Sequence, residues 1–314
     1  MKNLVVVLVI NYNQHEYTLS CINSILASNY ENFKVILIDN GSSKEDIDKL
    51  VDHLPESKDL IFKKINPNIG MVGAFNFGFN EGVKLAPKYF MVINNDAVID
   101  KEGINELVIT CKENNNKAVV TGKVYHYDAP EMLQFVGYKC INKNYLSHKG
   151  LGMDEPDNGQ YDKVEERDLI DDIFGLYPVE LYNKIGAYSP YFWLNSCQAD
   201  LALRAKEAGY KLMYTPKAKL WHKGSVSIGG REMNPKLAYM TIQGSLILRY
   251  LHLKPIYFIS YYFKATINVL RTLVKSVYLY LFKGKNMFEY AIAKYKGWVY
   301  FNKWVFLKNE HPGI

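Results

Sequence analysis

Asp96 follows the run Tyr89-Phe90-Met91-Val92-Ile93-Asn94-Asn95, in which an apolar strand gives way to two amides and an acid. A carboxylate presented at such a point can hold a divalent cation against a diphosphate. Two further apolar runs end in the same way. Leu4 to Ile10 is followed by Asn11-Tyr12-Asn13, and Phe33 to Ile38 by Asp39-Asn40-Gly41-Ser42. In open α/β sheets, ligands gather outside the carboxyl ends of the strands. Three buried-type strands thus deliver polar groups toward one edge.

Positioning those ends requires a sheet with helical crossovers. The first 100 residues alternate accordingly: strand 4–10, helix from Glu16 to Ala27, strand 33–38, a short helix from Lys44, strand 60–64, helix 71–86 and strand 89–93. Such alternation marks an α/β class with a mostly parallel sheet. Asn66-Pro67-Asn68 stops the third strand, and Gly70-Met71-Val72-Gly73 opens the next helix. Glycines there let the backbone approach a ligand closely, although a tight loop would use them as well. Beyond residue 100 we expect a helix from Gly103 to Asn114, a strand at Ala118-Val119-Val120 and a polar loop over 147–162, a length usually functional or mobile. A helix over 178–185 follows, then one from Asp200 to Ala208 ended by Gly209, and a strand Lys211 to Tyr214 leading to Pro216. No internal repeat is visible.

With 314 residues, 48% hydrophobic and 22% charged, the composition is globular rather than disordered. The four cysteines lack zinc-ligand or C-x-x-C spacing, which fits free thiols in a reducing compartment. The apolar run near the N-terminus breaks at Asn11 with no small-residue cleavage site, so it reads as a strand and not a signal peptide. The net charge of +6 conceals a split. From Ser245 onward eleven Lys and Arg face only Glu289 and Glu310, whereas the preceding 244 residues carry 27 basic and 30 acidic residues. We therefore divide the chain into a body, 1–244, and a basic aromatic helical region, 245–314. Within the latter, Lys or Arg interrupts every apolar stretch before it reaches the roughly 18 to 20 residues a spanning helix needs. Amphipathic helices lying on a membrane surface suit this pattern; helices packing on the body or on a second subunit are the alternative. Aromatics at helical spacing without a recognisable motif argue against nucleic acid.

Across residues 3 to 230 the order of motifs resembles glycosyltransferase family 2 enzymes of the GT-A fold, especially a rhamnosyltransferase-like bacterial branch. The resemblance rests on V-L-V-I-N-Y-N-Q near the start, I-L-I-D-N-G-S at 36–42, N-P-N-I-G-M-V-G-A-F-N-F-G at 66–78, I-N-N-D at 93–96, D-L-A-L-R at 200–204 and L-W-H at 220–222. It implies a nucleotide-diphospho-sugar transferase whose residues 1–100 form the donor-nucleotide half and 101–244 the acceptor half. By that resemblance Asp39 accepts hydrogen bonds from a pyrimidine or ribose, unless it serves only the Asx turn it could form. Tyr12 and Asn13 wall the base pocket. Asn68, Gly70 and Gly73 line the nucleotide side, with Asn76 on the first helical turn and Asn95 beside the metal position. Asp96 matches the last acid of the family's D-x-D element, which holds Mg2+ or Mn2+. Its first position here is Asn94, and one carboxylate suffices because hard cations also take water and substrate phosphate. His222 matches a late position that touches metal or diphosphate in some relatives, or is a packed histidine.

The departure lies at the catalytic residue. Inverting relatives carry their general base in E-D-x-D, where this chain reads Cys197-Gln198-Ala199-Asp200. An amide cannot take a proton as a carboxylate can. Asp200 is the first choice for the base; alternatively Gln198 positions the acceptor while Asp171 or Asp172 takes the proton, or the chain binds donor without efficient turnover. The implied function is metal-dependent inverting transfer from a UDP- or dTDP-sugar to a lipid-linked or cell-surface glycan at the inner membrane face, with a catalytically weak donor-binding subunit as the alternative. A sugar nucleotidyltransferase would need a Gly-rich basic loop after the first strand, and Asn11-Tyr12-Asn13-Gln14-His15 is not one.

Overall fold

Unbroken apolar runs such as Val5 to Val9 belong to strands covered on both faces, and the computed structural model, which describes residues 3–171, 173–224 and 234–311, has this layering. Along β1 (Val5–Asn11) the side chains of Val5, Val7 and Val9 enter one core layer, with Cys21, Ile22 and Ile25 of α1 (His15–Leu26). Val6 and Leu8 enter the opposite layer. Next come β2 (Phe33–Asn40), α2 (Lys44–His53), β3 (Leu60–Ile65), α3 (Gly70–Val83), whose Phe75 and Phe79 fill that second layer, and β4 (Tyr89–Ile93). Strands β3, β2, β1 and β4 lie side by side in parallel, in register Ile10↔Ile38 and Val9↔Ile93. Their carboxyl ends, with Asn11, Asp39 and Asn94, therefore meet at one edge.

The rest of the body adds β5 (Ala97–Ile99), α4 (Gly103–Glu113), β6 (Ala118–His126), β7 (Met132–Phe135), the hairpin β8 (Tyr138–Asn142) and β9 (Ser147–Gly150), and the short β10 (Glu155–Pro156) and β11 (Glu165–Glu166). It continues with β12 (Phe174–Pro178), α5 (Val179–Ile185), α6 (Cys197–Glu207) and β13 (Lys211–His222). Strand β12 inserts antiparallel between β4 and β6, pairing Phe174 with Ile93 and Leu176 with Val120. Strands β3, β2, β1, β4, β6 and β13 consequently all run the same way, the mostly parallel central sheet expected of the GT-A fold.

Several boundaries differ from expectation. Five residues containing Gly175 and Pro178 carry no alternation, so β12 is a strand only because two neighbours pair with it. Strand β13 passes through Pro216, where its register against β6 shifts between Thr215 and Lys219 and a missing N–H is tolerated. Helix α6 starts at Cys197, after Ser196 in a left-handed conformation. Asn76 lies on the second turn of α3, since the helix begins at Gly70.

Three helices complete the described chain: α7 (Pro235–His252), α8 (Pro255–Lys283) and α9 (Phe288–Leu307). Helix α7 runs across position 244, where the charge balance changes. It buries Ile242, Leu246 and Ile247 in the same core layer as Leu201 of α6 and Phe301 and Trp304 of α9. The α7–α9 crossing is close because Gly297 faces the Tyr239 carbonyl, with no room for a Cβ. Gly297→Ala is therefore expected to destabilise the fold by about 1–3 kcal/mol through overpacking, measured as a lower denaturation midpoint at unchanged slope.

Candidate active site

At the carboxyl edge of the sheet a continuous polar network ties the strand ends together. The buried Asn11 side chain donates to Asp39 Oδ1 at 2.9 Å, Asp46 Oδ2 at 2.9 Å and Ser42 Oγ at 3.1 Å. Its Oδ1 accepts from Thr18 Oγ1 at 2.7 Å, and Thr18 Oγ1 in turn accepts from Asn95 Nδ2 at 2.9 Å. Asp39, only 1% exposed, also accepts the Ser42 N–H at 3.2 Å. Burial pushes the Asp46 carboxyl up, yet bonds from Asn11 and His15 outweigh it and hold the group below its usual range.

Asn40 pins the next loop. Its Nδ2 donates to the Gly70 carbonyl at 3.1 Å and its Oδ1 accepts the Ile69 N–H at 3.1 Å. Asn68 Oδ1 accepts the Gly70 N–H at 2.8 Å. Gly70 has φ +77°, and a Cβ there would stand 2.6 Å from the Trp193 ring, so both the turn and the close approach demand glycine. Asn13 spans the two loops, its Oδ1 accepting the Ser43 N–H at 2.7 Å and its own N–H donating to Ser42 Oγ at 2.9 Å. Tyr12 is 41% exposed beside this network.

Thus Tyr12, Asn13, Asp39, Asn68, Gly70 and Asn95 gather at one edge. One expected residue is engaged elsewhere. Asn76 clamps the Tyr188 backbone through both its amide atoms, at 2.9 and 3.0 Å, and so braces the acceptor half instead of facing the edge. Gly73 backs onto the Ile69 side chain, 3.0 Å from where a Cβ would be.

Asp96, 6% exposed, has Oδ1 3.1 Å from His222 Nε2. Strands β5 and β13 bring them together, pairing Ala97 with His222. His222 Nδ1 lies 2.6 Å from Gln134 Oε1 on β7, and an amide oxygen can only accept, so Nδ1 carries the proton. Asn94 Nδ2, a donor, lies 3.2 Å from Nε2. Nε2 thus faces both the Asp96 carboxylate and the Asn94 amide. Among the described residues no group of three or more His, Cys, Asp or Glu forms a metal cluster. The donor set of one carboxylate and one imidazole fits a hard cation that completes its shell with water and phosphate.

Asp200 has a different setting from the one expected. It is 1% exposed, and its oxygens are taken by Ser189 Oγ at 2.6 Å, Arg204 Nε at 2.8 Å and His252 Nε2 at 2.9 Å. Burial pushes this carboxyl up, but His252, Arg204 and Ser189 outweigh it, and the group is held below its usual range. A buried, fully paired, weakly basic carboxylate is unsuited to deprotonate an acceptor, so Asp200 is better described as the clamp between α6 and α7. Gln198, half-buried on α6, accepts from Cys197 Sγ at 3.2 Å. Asp171 lies just ahead of β12, the Ile173 carbonyl directly before that strand accepts the Asn94 N–H at 2.9 Å, and Asp172 lies outside the described residues.

Residues 6–170, about half of the chain, match the family model for glycosyl transferase family 2. The chain belongs to that family. Curated relatives include poly-beta-1,6-N-acetyl-D-glucosamine synthases of Staphylococcus aureus and Staphylococcus epidermidis, each 24% identical over 229 residues, which are 70% of this chain and 50% of the relative. The chain spans about half the length of these relatives. Among solved structures, GalNAc-T7 with UDP, GalNAc and Mn2+ aligns with a TM-score of 0.59 at 14% identity, covering 70% of this chain and 44% of that one. S. aureus TarS aligns with a TM-score of 0.51 at 14% identity, covering 79% and 39%. Both likenesses establish the fold.

Other residues of this family 2 chain escaped the sequence reading. Asn40, Thr18 and Gln134 are ordinary polar residues whose role exists only through partners 28 to 88 positions away. Lys223, whose N–H donates to the Asp96 carbonyl at 2.9 Å, directly follows His222 and was readable as a basic group next to a candidate site.

The Asp200–His252 clamp has a pH signature. Burial pulls the His252 imidazole down, but Asp200 and Glu207 outweigh it and the net shift is upward from 6.5. Its contribution is full below 6.5 and is lost as pH rises through the raised value; that of Asp200 is full above 3.8 and is lost as pH falls through the lowered value. His252→Gln is expected to cost roughly 3 kcal/mol near pH 6 and clearly less near pH 9. Melting curves of both proteins across that range measure the difference.

Proposed function

We propose that this family 2 chain is a metal-dependent inverting glycosyltransferase that moves a sugar from a UDP- or dTDP-sugar to a lipid-linked or cell-surface glycan. The observation that carries this reading is the Asp96–His222 pair, with Gln134 holding the imidazole so that Nε2 faces the carboxylate. Asp96 and His222 would hold Mg2+ or Mn2+, and the bound ion supplies neutralisation of charge on the departing nucleoside diphosphate. The presence of UDP and Mn2+ in the GalNAc-T7 structure supports the same donor chemistry.

The chain's own residues then have distinct tasks. Asp39 accepts hydrogen bonds from the base or ribose while Asn11 keeps it oriented, Tyr12 and Asn13 cover the base, and Asn68 and Gly70 bring backbone close to the nucleotide. Trp193 packs its ring against Gly70 beside them. The acceptor proton falls to Asp171 or Asp172, the acids just upstream of β12. Gln198 positions the acceptor. The basic aromatic region supports a membrane-held acceptor and a peripheral location at the inner face, with 1–244 as transferase domain and 245–314 contacting the membrane through its outward-facing helix α8. A second reading, a donor-binding subunit with little turnover, is favoured by the amide at position 198.

Calorimetric titration with UDP and dTDP, each with and without Mn2+, tests the donor site. One nucleotide should bind in a metal-dependent manner, and Asp96→Ala should abolish that dependence. Gln134→Leu, which removes the partner of Nδ1 and the longer bond to the His222 carbonyl, should weaken Mn2+ binding by about 10–100-fold. If neither nucleotide binds, the transferase reading is lost. Asp171→Asn should lower kcat by about 10²–10⁴-fold at unchanged nucleotide affinity; if wild type binds donor yet transfers nothing, the second reading holds.

A further inference from the structure

The basic aromatic region is not uniform. Helices α7 and α9 bury their apolar faces in the body, whereas α8 buries only Ala265, Val269 and Ser276. On its outer side Ile256, Ile259, Phe263, Ile267, Leu270 and Val274 recur three or four residues apart and are 47% to 70% exposed. At ~1.5 Å per residue the 29-residue helix is roughly 43 Å long, and the stripe from Ile256 to Val274 covers about 27 Å of it. Arg271 and Lys275 flank Ile267, Leu270, Val274 and Tyr278 on the same open face of the helix.

Charge is one-signed. Helix α8 contains Lys264, Arg271, Lys275 and Lys283 and no acidic residue. The β8–β9 hairpin, residues 138–150, contains Lys139, Lys143 and Lys149 and likewise no acid, and its Ile141 is 66% exposed. The two elements are joined: Tyr145 Oη donates to Ser260 Oγ at 3.2 Å, Lys264 Nζ lies 4.9 Å from the Tyr145 ring centroid, and Arg249 Nε donates to the Tyr145 carbonyl at 3.1 Å.

We propose that α8 and the β8–β9 hairpin form one docking face for an anionic lipid bilayer, with α8 lying in the headgroup layer and its apolar stripe inserted. An interfacial helix has this make-up: a continuous apolar face, cations at its margin and no anion to repel lipid phosphate. A second copy of the chain is a poorer occupant, because stripes paired across a dimer carry charges of opposite sign at their margins, whereas two α8 helices would set cation against cation. No helix among the described residues is long and apolar enough to cross a membrane, so the contact is along the surface. The docked face includes part of the acceptor half, which would hold the catalytic edge at a fixed height above the bilayer; in this purpose the inference rests on the proposed transfer to a membrane-held acceptor.

The test is sedimentation of the full chain with vesicles of phosphatidylcholine alone and of phosphatidylcholine mixed with phosphatidylglycerol. Wild type should bind the mixed vesicles far better, and added salt should weaken binding. Arg271→Glu with Lys275→Glu should reduce partitioning roughly tenfold or more, and Phe263→Glu with Leu270→Glu should abolish it. Unchanged circular dichroism shows that these exposed substitutions leave the fold intact. Equal binding to both vesicle types, or variants that bind like wild type, would overturn the proposal. So would a concentration-dependent dimer in light scattering that Phe263→Glu dissolves, which would assign the face to a second copy. Nucleotide titration of the same samples separates the two readings: vesicle binding without nucleotide binding leaves the docking face and removes the donor site, and the reverse result does the opposite.

Discussion

One primary amide holds the donor edge together. Asn11 Nδ2 reaches Asp39 and Asp46, and its Oδ1 receives Thr18, which also anchors Asn95. Parallel strands alone bring their ends to one edge but do not fix the side chains that leave it. The amide does so because it offers donor and acceptor from one rigid group, buried where an unmade bond costs about 1–3 kcal/mol. Asp39 is held in one orientation, its Oδ1 accepting from Asn11 and its Oδ2 from the Ser42 N–H.

The Asp96–His222 pair depends on a longer chain of placement. His222 ends β13 only because that strand runs past the bulge near Pro216 and pairs with β5, which follows Asp96 directly. Gln134 on β7 then selects the tautomer. Three strands from separate parts of the chain must register correctly before one imidazole nitrogen meets one carboxylate.

A second constraint lies between α6 and α7. Asp200, Arg204, Ser189 and His252 form a buried charged group in which each member satisfies another, so the basic region is anchored through α7 while α8 remains outside. Gly244 opposes the Asn195 carbonyl, 2.7 Å from where a Cβ would stand, and Gln243 Nε2 donates to the Tyr191 carbonyl at 3.0 Å. The loop over 188–196, which approaches Gly70 through Trp193, is thus held from the side of the C-terminal helices. Composition divides the chain near residue 244, but packing does not.

The elements of the donor half were legible in the sequence because their signals are local: doubly buried strands are continuous apolar runs, and helices between them begin and end at turn residues. Asp39 and Asp96 could be assigned to the sheet edge from position alone, since a polar residue just past such a run has only that edge to occupy, whereas His222 was named through the family resemblance. Tertiary structure decided what depends on partners. Strand β12 is defined by its neighbours, Asn76 by Tyr188, Gln134 by His222, and Asp200 by a histidine 52 residues away. The spacing of Asp200 and Arg204 is the same whether the carboxylate is free or spent, because a helix fixes which residues share a face but not what packs against it. Likewise the basic aromatic pattern over 245–314 is common to all three last helices, and only their packing distinguishes the two that fill the core from the one that faces outward.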